Sequence, residues 1–248
     1  MAITTSIHDR VALVTLDWPQ RRNALGPAEA HDLAGALNEL GANPAVSVVV
    51  LTGNGAFCAG GDLPKILELT ALGREAVRAA LYNDFHAMIK AVVGIPKPIF
   101  SAVDGPAVGL GMDLALACDR RFVGDGGWLM QGWARIGLIP GTGGELLLRR
   151  LAPSALWPLL TREKPIRGAE AAESGLAEHV PDARAAAVAA AGSLASVPPE
   201  TLTAYARLHR EDLHRQLEAH LERCLAFQTE LLSSEDFAGR ARRALARG

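Results

Sequence analysis

An α/β domain followed by a helical C-terminal region is the fold class this sequence predicts, and three observations predict it. β-branched runs alternate with amphipathic stretches at similar spacing up to about Val180, each run closes in glycine- or proline-rich turn chemistry, and from Ala183 onward the text is helical throughout. Strands separated by helical stretches form largely parallel sheets covered by helices. The 248 residues are 49% hydrophobic and 21% charged with 25 Gly and 14 Pro, which suits a globular chain that buries its core without disulfides.

The elements follow in order. "VALVTLD" (Val11 to Asp17) and "VSVVVLTG" (Val46 to Gly53) are dense in β-branched residues and end in turn residues, which predicts two strands. Between them "GPAEAHDLAGALNELGANP" spaces its apolar residues for a helix and stops at Gly41 and Pro44. A second unit predicts an amphipathic helix around Ala76 to Val92, a strand over Lys97 to Gly105 in "KPIFSAVDG", and a helix starting near Leu110 in "GLGMDLALACD". A third, looser unit takes in "RFVG", "WARIGLIPGTGGELLLRRL" and a helix, turn and strand in "RGAEAAESGLAEHV". Beyond it, "ARAAAVAAAGSLASV" and "PETLTAYARLHREDLHRQLEAHLERCLAFQTELLSS" predict helices, with capping signals at Pro198 to Thr201. The division expected is a core over 1–190 and a helical region over 191–248.

Bulk charge narrows the partners. A formal charge of -2 exerts no global pull toward nucleic acid or an anionic membrane, so neither is expected as a partner. The three cysteines, Cys58, Cys118 and Cys224, are too far apart for a disulfide framework or a CxxC metal site and read as reduced, buried thiols. With no basic leader and no uncharged run of about 18 apolar residues, a soluble cytoplasmic protein is expected.

The chemistry concentrates in two glycine turns. In "AFCAGGDL" (Ala56 to Leu63), Gly60 and Gly61 let a strand turn sharply and leave backbone N–H groups open to an approaching group. "GPAVGLGMDLALACD" (Gly105 to Asp119) repeats the device, ending in a helix whose first N–H groups lie at the positive end of its dipole. Two such turns facing each other offer one carbonyl oxygen two backbone donors, the arrangement of an oxyanion hole. The competing reading of "GLGMDL", a dinucleotide fingerprint, lacks the third glycine and the downstream acid.

These residues also carry a resemblance. "QRRNAL" (Gln20 to Leu25), "AFCAGGDL", "KPIFSAVDGPAVGLGMDLALACD" and "IGLIPGTGG" (Ile136 to Gly144) stand in the order and spacing of the crotonase superfamily, the enoyl-CoA hydratase/isomerase family. The chain resembles that family over nearly its whole length. The likeness implies a spiral of ββα units, with the C-terminal helices joining copies into a homotrimer or a dimer of trimers. It implies an acyl-CoA thioester as the bound partner, with coenzyme A part of the substrate and no separate cofactor or metal. By position, the backbone N–H groups of Gly61 and Leu110 polarise the thioester carbonyl, Leu110 standing where many members have Gly or Ala. Arg22, Ala24 and Leu25 on one stretch, and Ala59, Gly60, Asp62 and Leu63 on the other, match the segments that grip CoA. Gly109 and Trp133 join that binding set, Arg247 falls where a basic residue reaches CoA phosphates, and Ala244 replaces a usual aromatic.

An oxyanion hole without a nucleophile serves enolate chemistry, in which a base moves an α-proton or water adds at the β-carbon. Hydratases of the family hold water between two glutamates. Here the first position is Asp113, one methylene shorter, and the second aligns with Trp133, whose indole exchanges no proton near neutral pH. Hydration and a double-bond shift centred on Asp113 both stay open. So do a substitute acid at Glu145, a variant reaction such as decarboxylation or hydrolysis, and a catalytically weakened acyl-CoA binder. Trp128 and Trp133 are expected as core or pocket wall, His86 as a surface residue, and Cys58 as packing.

Overall fold

The computed structural model describes residues 3–246. The chain opens with a hairpin, β1 (Ile3–His8) and β2 (Val11–Leu16), joined by Asp9 and Arg10 at φ 44° and 66°. That positive-φ pair matches the twist of adjacent strands. β1 was not foreseen, because nearly all its residues are exposed and no apolar alternation marks it. Helix α1 (Pro27–Ala42) leads to β3 (Val48–Gly53), and then come α2 (Leu63–Ala71), α3 (Arg74–Ala80) and α4 (Ala87–Gly94). After β4 (Ile99–Val103) the chain forms β5 (Pro106–Val108), α5 (Leu110–Leu116), β6 (Arg120–Val123) and β7 (Trp128–Met130). Next are α6 (Gly144–Leu151), α7 (Leu156–Thr161), β8 (Ile166–Arg167), α8 (Gly168–Glu173) and β9 (Glu178–His179). Three helices finish it: α9 (Ala183–Ala195), α10 (Pro199–Leu232) and α11 (Glu235–Leu245).

Six strands form the main sheet in the order β1-β2-β3-β4-β6-β9, parallel from β2 onward, and β5-β7-β8 form a second, smaller sheet. Both faces of its central strands β3 and β4 are buried, as parallel strands require, whereas β1 at the edge is mostly exposed. Val49 and Leu51 of β3 join the large core against α1, α4 and α5, while Val48 and Val50 point the other way, toward α9. α9 meets them with Ala183, Ala187, Ala191 and Ala195, a four-residue repeat of small side chains that brings the helix close to the sheet. The division expected at 190/191 therefore falls inside a helix that packs on the core, and the long C-terminal helix starts at Pro199.

The helix expected over Ala76 to Val92 is interrupted by a π turn at Leu81–His86. The wider turn carries His86 inward, contrary to the surface position expected of it: it is buried, with Nε2 3.0 Å from the Gly141 carbonyl oxygen. Burial drives its pKa down to about 4, so the ring is neutral and structural. α10 is fastened by Arg210, whose buried guanidinium donates to the carbonyls of Val93 (3.0 Å), Ile95 (2.7 Å) and Lys97 (2.6 Å) at the end of α4. Its Nε lies 3.0 Å from Asp119 Oδ1. After Ser233 and Ser234 the chain reverses, and α11 lies back against α2 and the short 3-10 turn at Ala134–Ile136. No helix among the described residues is long and apolar enough to cross a membrane.

Candidate active site

The site forms where the chain leaves β3 and β4. Asn23, fully buried, ties the first exit loop to the preceding segment: its Oδ1 accepts from the Trp18 N–H at 2.9 Å and its Nδ2 donates to the Ala56 carbonyl at 2.6 Å. The segment then runs beside the first glycine turn. Ala59 N–H donates to the Arg22 carbonyl at 2.9 Å, Leu25 N–H to Gly60 at 2.8 Å, and Asp62 N–H to Leu25 at 2.8 Å.

The two glycine turns touch. Cys58 N–H donates to the Pro106 carbonyl and Val108 N–H to the Cys58 carbonyl, both at 3.0 Å. Gly60 has φ 103°, and a Cβ there would stand 2.8 Å from the Val108 carbonyl oxygen. Gly111, in the first turn of α5, faces the Cys58 carbonyl so closely that a Cβ would lie 2.1 Å from its oxygen. Both contacts demand glycine. Cys58 itself is sealed in; burial pushes its thiol up to about 12, which keeps it neutral and inert.

Backbone donors are the product of this packing. Gly61 and Leu110 line one cavity of about 290 Å³, and neither N–H donates to another backbone or side-chain group among the described residues. Leu110 opens α5, so its N–H also carries the positive end of the helix dipole. The rest of the wall is mainly apolar, with Val108, Met130, Ile136 and Leu138 beside Trp133, and Arg135 at the rim. A neighbouring groove of about 300 Å³ shares Ala59, Gly61, Leu63 and Ala244 with it and adds Arg21, Arg22, Ala24 and Asp62. Gly60 and Gly109 belong to the cavity wall, whereas the Leu25 side chain is fully buried and contributes only its backbone. Arg247 lies outside the described residues.

Asp113 is placed differently. It is fully buried and is not part of the cavity wall. Its Oδ2 accepts from Trp133 Nε1 at 3.0 Å and from Thr142 Oγ1 at 2.7 Å, while its Oδ1 has no partner among the described residues. Burial raises the carboxyl to about 7, against the opposing pull of the Thr142 and Trp133 hydrogen bonds. Trp133 therefore has two faces: its N–H is held by Asp113, and its ring lies against Gly109, 3.7 Å from the position of a Cβ there, as part of the wall. Glu145 lines neither cavity. Its carboxylate accepts from Arg149 Nε at 3.2 Å and stands 3.7 Å from His220 Nδ1.

Four contributors escaped the sequence reading. Arg21, rather than Arg22, reaches the acids beside the groove, bonding Asp62 and, at 3.0 Å, Glu29, which also takes Lys65 at 2.6 Å. The Arg-Arg pair ahead of a helix-capping Glu29 was the available signal. Asn23 and Thr142 sit inside quoted motifs, where a polar residue among turn-formers reads as turn chemistry. Arg135 had no signal at all, since one exposed arginine is ordinary.

A profile of the enoyl-CoA hydratase/isomerase family matches residues 6–243. A probable enoyl-CoA hydratase of Rhodobacter capsulatus is 35% identical over 247 residues, covering 95% of this chain and 91% of that relative. A probable enoyl-CoA hydratase of Mycobacterium tuberculosis is 34% identical over 253 residues, covering 96% and 95%. A crystal structure of an enoyl-CoA hydratase/isomerase from Mycobacterium paratuberculosis matches with a TM-score of 0.91 at 25% identity, covering 98% of each chain. The spiral implied by the sequence motifs is thus the fold of the molecule, and the chain belongs to the enoyl-CoA hydratase/isomerase family.

Proposed function

We propose that the chain binds an acyl-CoA thioester, stabilises its enolate with the N–H groups of Gly61 and Leu110, and shifts a double bond with Asp113 as the single acid and base. The observation that carries this reading is the pair of unengaged backbone donors on one mainly apolar cavity. Such donors lower the cost of charge on the thioester oxygen where little water competes. The names of the relatives, probable enoyl-CoA hydratases, support the substrate class.

The step itself needs one carboxylate. Ionised Asp113 takes a proton from the α-carbon, the electron pair moves onto the thioester oxygen as a dienolate, and the protonated acid returns a proton at the γ-carbon. A carboxyl at about 7 suits a group that must serve as base and then as acid near neutral pH. The Trp133 indole must leave Asp113 Oδ2 for this to happen, because Asp113 is outside the cavity wall. Hydration fits less well: water needs a second carboxylate, Trp133 stands at that position, and Glu145 is turned toward Arg149 and His220. The buried placement of Asp113 favours one other reading, an acyl-CoA binder of weak activity.

The test is to incubate the protein with short and medium trans-2-enoyl-CoA and with a 3-enoyl-CoA, following conjugated-thioester absorbance and product mass. The expected outcome is a change of conjugation at constant mass, reduced roughly 100-fold or more in Asp113→Ala. A mass gain of one water would make it a hydratase, and binding without turnover would make it the binder.

A further inference from the structure

We propose that the acyl group of the substrate ends in a carboxylate and that Arg135 receives it, an inference that rests on the acyl-CoA reading above. Among the described residues, the cavity that holds Gly61 and Leu110 has a single charged side chain in its wall, that of Arg135. Arg135 belongs to the 3-10 turn that follows Trp133, on the same stretch that forms one side of the cavity. One Nη2–H donates to the Arg162 carbonyl at 2.9 Å, which steadies the guanidinium. Among the described residues, no carboxylate stands within the 4.0 Å of an ion pair with it. Other arginines named in this part of the molecule do have such partners: Arg149 with Glu145 at 3.2 Å, Arg162 with Glu170 at 2.6 Å, and Arg240 with Asp236 at 3.0 Å.

Position decides which part of a thioester would meet it. The adjoining groove has cations of its own, Arg21 and Arg22, whereas Arg135 lines only the cavity with the backbone donors. A ligand whose carbonyl sits on Gly61 and Leu110 and whose CoA portion follows the groove leaves its acyl tail as the part that approaches Arg135. An aliphatic tail gives the guanidinium nothing to bond. A terminal carboxylate accepts two parallel N–H bonds from its fork, the geometry that separates arginine from lysine. Because Arg135 is exposed, water and salt weaken the pair, so discrimination is modest, about tenfold.

The test uses saturated thioesters, which have no double bond to shift and so report recognition apart from reaction. Calorimetry measures the Kd of glutaryl-CoA, valeryl-CoA and free CoA for the wild-type protein, Arg135→Gln and Arg135→Lys. The expected result is glutaryl-CoA binding about tenfold tighter than valeryl-CoA in the wild type. That preference disappears in Arg135→Gln, falls in Arg135→Lys and shrinks with added salt, while free CoA binds all three proteins alike. Equal affinity of the two thioesters for the wild type overturns the proposal. A uniform loss for all three ligands in Arg135→Gln also overturns it, by assigning Arg135 to CoA phosphates. Failure of free CoA and both thioesters to bind the wild type would remove the acyl-CoA reading as well.

Discussion

The two halves of the candidate site are made of different material. The donor half, Gly61 and Leu110, is backbone held by backbone: paired turns, the Cys58 ladder and a glycine pressed against a carbonyl. The acid half, Asp113 with Trp133 and Thr142, is three side chains meeting at one carboxyl oxygen. Among the described residues Leu110 leaves its N–H free to donate, whereas Trp133 spends its Nε1–H on Asp113 Oδ2. On the proposed function, gripping a thioester oxygen falls to one half and handling its enolate to the other, so each half can be broken alone.

The largest effect is expected in the backbone half. Gly111→Val would place Cβ about on top of the Cys58 carbonyl oxygen, 2.1 Å away, where both partners are fixed by β-bridging and helix packing. Relief requires pulling the two turns apart, at roughly 4 kcal/mol or more. Thermal unfolding should show a protein that is unfolded or melts many degrees lower. A wild-type midpoint would mean that the turns do not hold each other.

The acid half should respond to pH instead. Asp113 ordinarily titrates near 3.8 and in the fold near 7, so the folded protein holds a proton that the unfolded chain releases. The associated stability is complete below about 4, is lost as pH rises toward about 7, and is absent above it. The change is on the order of a few kcal/mol. Asp113→Asn keeps the acceptor for Trp133 and Thr142 but does not titrate. Its urea midpoint should therefore gain on the wild type between pH 5 and pH 8. Parallel midpoints at both pH values would show that the carboxyl is not held neutral.

Legibility in the sequence divides along the same line. β3, β4 and α5 were readable because β-branched runs, turn residues and a glycine-framed helix start are local signals, and the helix does begin at Leu110. The two glycine turns were readable as a pair because the same motif occurs twice. What escaped is non-local. β1 shows no alternation, since both its faces are wet; the π turn that buries His86 leaves no mark in an amphipathic helix; and the closeness of Thr142, Asp113 and Trp133 exists only once α5, α6 and the intervening loop are packed. The shorter reach of Asp113 could be inferred from its lost methylene, but its place behind the cavity wall could not.

Trp133→Phe separates the roles of wall and hydrogen-bond donor, with the smallest expected effect on stability. Phenylalanine keeps an aromatic ring for Gly109 and the cavity but has no N–H, so Asp113 Oδ2 retains only Thr142. Loss of one hydrogen bond to a buried acceptor costs about 1 to 2 kcal/mol. The indole bond pulls the Asp113 pKa down, so its removal raises that pKa further. A base is active only when ionised, and the rising limb of kcat/KM against pH should therefore move to more alkaline pH while turnover above it survives, the phenyl ring moving aside from the carboxyl as the indole does. An unchanged pH profile with the same small loss of stability would confine Trp133 to the wall and take the proton transfer away from Asp113.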